Sequence, residues 1–66
     1  MMEWEYLLVF HYWYDRDARG APDGSKQVRI RAAYGELEGR IEMARYDVEK
    51  SVGSDSKAVL QQVMRM

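Results

Sequence analysis

His11 is the one histidine of the chain and the only side chain in it whose ordinary pKa lies near neutrality. To act as an acid, a base or a metal ligand, its imidazole would need a carboxylate, a thiolate or further ligands beside it. No acid stands within two residues of it on either side, and the chain has no Cys for it to activate. The acids elsewhere are scattered among arginines, as in Asp15-Arg16-Asp17, which is the pattern of a solvated face rather than of a convergent ligand set. Ser54 and Ser56 flank Asp55 and read as helix caps rather than nucleophiles. Gly35 and Gly39 fit neither of the glycine spacings that cradle phosphate. The sequence therefore predicts no catalytic residue, no metal site and no cofactor, and it directs attention to binding.

The 66 residues are expected to form one domain, 1–66. At this size folding buries only about 60% of the surface that the unfolded chain exposes. Without cysteines, and with a single histidine, neither disulfides nor structural zinc can supplement so small a core. Oligomerisation is the remaining supplement, and a homodimer is the expectation. The formal net charge is −1, so no global field draws the chain onto nucleic acid or an anionic membrane. Locally, Lys26, Arg29 and Arg31 place three positive charges in six residues without an acid. Glu3 and Glu5 stand where a signal peptide would be basic, and the uncharged run from Tyr6 to Tyr14 is too short to span a bilayer. The expectation is a cytoplasmic protein without membrane contact.

The elements that must position these residues begin with the stretch from Trp4 to Tyr14, which holds six of the eight aromatic residues: Trp4, Tyr6, Phe10, Tyr12, Trp13 and Tyr14. Read with period two, one face is Trp4, Tyr6, Leu8, Phe10, Tyr12 and Tyr14, and the other is Glu5, Leu7, Val9, His11 and Trp13. Aromatic and β-branched density of this kind packs well on a pleated sheet, so a strand is predicted over 3–14. Such a strand is expected to serve as a dimer seam or as a protein-binding surface, because Trp and Tyr supply rigid contact area at low entropic cost. Asp15 to Ser25, with Pro22-Asp23-Gly24 inside it, is a loop. Gln27-Val28-Arg29-Ile30-Arg31-Ala32 alternates strictly and predicts a second, half-exposed strand within 26–33, with Gln27, Arg29 and Arg31 outward.

From 36 to 52, Leu37, Ile41, Ala44, Val48 and Val52 fall within about 80° of arc and predict an amphipathic helix, with Gly53 at its C-terminus and Glu36 to Arg40 as an i,i+4 pair. A strand alternating Leu37, Gly39, Ile41 and Met43 is the competing pattern over eight residues. Ser54-Asp55-Ser56 then reads as the cap of a helix over 55–65, with Val59, Leu60, Val63 and Met66 on its apolar side. The expected fold class is α+β: an antiparallel β-hairpin followed by one long and one short α-helix. The alternative is a three-stranded antiparallel meander with a C-terminal helix.

A strand with outward Gln27, Arg29 and Arg31, a helix with Leu37, Ile41 and Ala44, and the Gly53 to Lys57 turn into a second helix together resemble the ribbon-helix-helix family of DNA-binding dimers. The resemblance implies that Gln27, Arg29 and Arg31 read bases in the major groove of double-stranded DNA, and that Ser54, Ser56 and the following helix N-terminus meet phosphate. Apart from the resemblance, the chain reads as a small non-catalytic binding protein. The expectation is a dimeric regulator or inhibitor of a larger protein partner, of the kind that phages and other mobile elements encode, with a sequence-specific transcriptional regulator as the alternative.

Overall fold

The computed structural model describes residues 2–66. Strand β1 (Trp4–Trp13) and strand β2 (Gly24–Ala32) form an antiparallel hairpin. A 3-10 turn over Tyr34–Glu36 leads into helix α1 (Leu37–Val52), and strand β3 (Lys57–Arg65) closes the chain. The sheet order is β2-β1-β3, with β1 antiparallel to both neighbours. The aromatic strand is thus central, and both of its edges are paired. Among the described residues, no helix is long and apolar enough to cross a membrane.

Helix α1 lies on one face of this sheet because its apolar stripe and one face of β1 complete each other. Tyr6, Leu8 and Phe10 are buried with Ala44, Val48 and Ala58, and Trp4, Tyr12, Val28, Ile30, Leu37, Ile41, Val52 and Leu60 pack around them. Leu8 and Phe10 have no exposed surface at all. The five helix positions expected to face the core all do so. Gly24 sits under the Tyr12 ring, so close that a Cβ there would collide with the phenol.

The predicted second helix over 55–65 is instead strand β3, so the hairpin with two helices is corrected to a three-stranded sheet with one long helix. The alternative expectation has this content, with the helix placed before the third strand. The physical reason is a β-bulge. Phe10 pairs with Leu60 and Leu8 with Val63, while the register shifts between Val9 and Phe10. Gln61 is the extra residue, so Leu60 and Val63 lie on one sheet face although three positions separate them. A spacing of three imitates the helical period. The free edge of β1 offers this segment a full ladder of hydrogen bonds, which its local helix preference cannot match.

The predicted caps act in the opposite sense. The Ser56 hydroxyl is buried and directs its donor at the carbonyls of Glu49 (2.9 Å) and Gly53 (2.7 Å), so it closes the C-terminus of α1. Gly53, at φ 156° and ψ 157°, donates its N–H to the same Glu49 carbonyl and holds a conformation that is essentially glycine's alone. The Glu49 carboxylate accepts from the Ala58 N–H (2.9 Å) and from Arg45 (3.1 Å), fastening α1 to β3. The expected Glu36 to Arg40 pair does not form; the Glu36 carboxylate accepts instead from the Ala33 N–H ahead of the 3-10 turn.

Two outcomes check this packing. Phe10→Ala should cost about 3–5 kcal/mol, the range for an aromatic deleted from a core, as read by urea denaturation. A loss under about 1 kcal/mol would contradict the assigned core. Hydrogen bonds from Arg45, with its charge, hold the Glu42 carboxyl below the ordinary glutamate range. The stabilisation is therefore present above the ordinary pKa and fades as pH falls through the lowered value. A carbon-detected NMR titration should show Glu42 returning to the ordinary range in Arg45→Gln.

Candidate functional site: the open face of the sheet

A single helix covers one face of the sheet, and no other described element covers the second. Alternation along β1 sends Leu7, Val9, His11 and Trp13 to that face, and all four remain partly exposed. The register sets polar neighbours beside them. Leu7 lies between Arg29 and Met64, Val9 between Gln27 and Gln62, His11 between Ser25 and Val59, and Glu5 opposite Arg31. The face is an apolar strip one strand wide, bordered by long polar side chains on β2 and by mixed ones on β3.

Its charge is positive. Glu5 is its one acid, held by Arg31 at 3.4 Å, while Arg29 and Lys57 have no ion-pair partner among the described residues. The Lys57 ammonium stands 4.9 Å from the Trp13 ring centroid and donates to the Ala18 carbonyl (2.9 Å). The Trp13 indole N–H donates to the Gly20 carbonyl (3.2 Å). One end of the face is therefore built by the connection between β1 and β2. That connection is pinned: Arg16 donates its backbone N–H to the Asp55 carbonyl (2.6 Å) and its guanidinium to the Ser54 carbonyl (2.8 Å), and the Asp23 carboxylate accepts from the Tyr14 N–H (2.9 Å).

The aromatic residues expected to serve as a dimer seam or a protein-binding surface lie on two faces of the sheet, as the alternation of the strand implies. Tyr6 and Phe10 are buried under α1, and Trp4 is half-buried there beneath the Arg65 guanidinium, 4.3 Å from its ring centroid. Tyr12 is half-buried and packs edge-on against exposed Tyr14 at 5.6 Å. Of the six, Trp13 is the one on the open face. Gln27, Arg29 and Arg31 are exposed there in one row, as β2 alternation requires. Ser54 and Ser56 do not join them, since Ser56 is buried as the cap of α1 and strand β3 replaces the second helix of the ribbon-helix-helix resemblance.

Leu7, Val9, Val59, Gln62 and Met64 join the site without having been expected there from the sequence. The parity of the first strand carried that signal for Leu7 and Val9; for the other three it was hidden by the helical reading of 55–65. Among the described residues, no group of three or more His, Cys, Asp or Glu side chains could hold a metal ion. The arrangement offers an apolar contact strip with cationic and amide donors at its border. No family model, curated protein or solved structure matches the chain.

If the face is open, a charge should be tolerated on it and refused behind it. Val9→Lys should change unfolding free energy by less than about 1 kcal/mol, whereas Leu8→Lys, one residue away and fully buried, should abolish folding. Circular dichroism during thermal unfolding distinguishes the two. Equal damage from both would mean that Val9 is also enclosed.

Proposed function

We propose that this chain is a small non-catalytic binding protein, a dimeric regulator or inhibitor that works in the cytoplasm by docking its open sheet face on a larger protein. The observation that carries this reading is the uncovered strip Leu7, Val9, His11 and Trp13 at the centre of the sheet. An apolar strip held rigid by two flanking strands and bordered by Arg29, Arg31, Gln27, Gln62 and Lys57 has the anatomy of an interface, with an apolar centre and a polar border. The positive border selects the partner's chemistry: an apolar patch rimmed by Asp or Glu.

The test is affinity capture followed by titration of the purified partner. Val9→Lys and Trp13→Ala should each weaken binding by about 2 kcal/mol or more, the scale of a hot spot, while Tyr46→Ala on α1, 58% exposed and away from the open face, should leave it unchanged. A Val9→Lys protein that binds like wild type would contradict the reading.

A second reading is favoured by one observation, the exposed row of Gln27, Arg29 and Arg31, whose side chains have the chemistry to read bases of double-stranded DNA. It predicts salt-sensitive binding, with Arg29→Ala and Arg31→Ala each costing about 1–3 kcal/mol at a specific site. Fluorescence anisotropy against a random duplex pool at two salt concentrations checks it, and an absence of binding at low salt would remove it.

A further inference from the structure

The outer edge of β2 and the side of α1 enclose a groove of about 370 Å³ lined by Val28, Ile30, Arg40, Met43, Ala44 and Asp47, with the Arg29 and Arg31 positions on its strand wall. Met43 is 66% exposed in it. Strand β2 pairs with β1 through nine consecutive residues without a bulge, so its outer edge presents a regular row of unpaired backbone donors and acceptors. Arg40 and Asp47 both line the groove, and neither has an ion-pair partner among the described residues.

From these features we infer that a second copy of the chain occupies the groove, with β2 pairing antiparallel to the partner copy's β2 about a two-fold axis normal to the sheet. The groove is self-complementary. Arg40, Met43, Ala44 and Asp47 lie at i, i+3, i+4 and i+7 on one stripe of α1. A two-fold axis beside Met43 and Ala44 runs the two helices antiparallel, directs Arg40 toward Asp47 of the partner subunit, and repeats that pairing on the other side. Adjacent strands are about 4.8 Å apart, and α1 lies over β1, so the two helices stand about 14 Å apart across the seam. That exceeds the 8–10 Å of directly packed helices, so long side chains must span the gap. Met43 and Arg40 are such side chains.

The other free edge suits this role less well. Strand β3 carries the bulge at Gln61, which spoils a regular ladder. Pairing through β2 joins the two sheets into one of six strands, with both helices on the same side. The open face stays uncovered and is doubled in area. The inference rests on the dimer in the proposed function and is independent of what binds the open face.

Light scattering tests it without any ligand. The wild-type chain of 7.8 kDa should scatter with twice that mass. Arg40→Glu and Asp47→Arg should each weaken dimerisation about tenfold or more, since each replaces two attractive pairs by two repulsive ones, and the double variant should recover the wild-type constant. Circular dichroism confirms that all three variants fold. A monomeric wild type at hundreds of micromolar, a dimer indifferent to both single changes, or a double variant that stays monomeric would each overturn the inference. A monomer that still captures a partner through Val9 and Trp13 would leave the open-face reading standing and the groove to a strand from another protein.

Discussion

The structure depends on the position of β1 at the centre of a sheet that a single helix covers on one side. The ladders on both edges of β1 satisfy its backbone, and the helix seals Tyr6, Leu8 and Phe10. The other side of the same strand is then left to solvent or to another molecule. Among the described residues no second α-helix is present to close it. The candidate site is therefore the uncovered half of the residues that hold the fold together, and Leu7 and Leu8 have different roles only because the pleat points them opposite ways.

The ends of α1 explain why the helix stays registered on the sheet. Ser56, Gly53 and Glu49 tie its C-terminus to β3, and Lys26 donates to the Ser51 hydroxyl (3.1 Å) from β2. The connection between β1 and β2 is fixed to the same region through Arg16, so the end of the open face that carries Trp13 and Lys57 shares its support with the helix terminus. A change in the 53–56 turn would reach the site through that support.

Much of this was legible in the residues. The two faces of β1 and the apolar stripe of α1 follow from alternation and from the 3.6-residue period, and both stand as read. The third strand was not legible because the Gln61 bulge converts a period of two into a spacing of three between Leu60 and Val63. Ser54-Asp55-Ser56 misled for a related reason: the Ser56 hydroxyl, four residues past the end of α1, donates backward to the carbonyls there instead of accepting from amides ahead. The site was half legible. The outward row Gln27, Arg29 and Arg31 follows from β2 alone, but the choice of Leu7, Val9 and Trp13 over Tyr6 and Phe10 required knowing which face α1 takes, and both faces of β1 are apolar enough to receive it.

The measurement that reaches the central claim most directly is paramagnetic relaxation of side-chain protons by an inert gadolinium chelate at low protein concentration. The account predicts strong broadening of the Leu7 and Val9 methyl signals and little effect on Leu8 or the Phe10 ring. Equal protection of Leu7 and Leu8 would show that both faces of the central strand are enclosed, and would contradict the account.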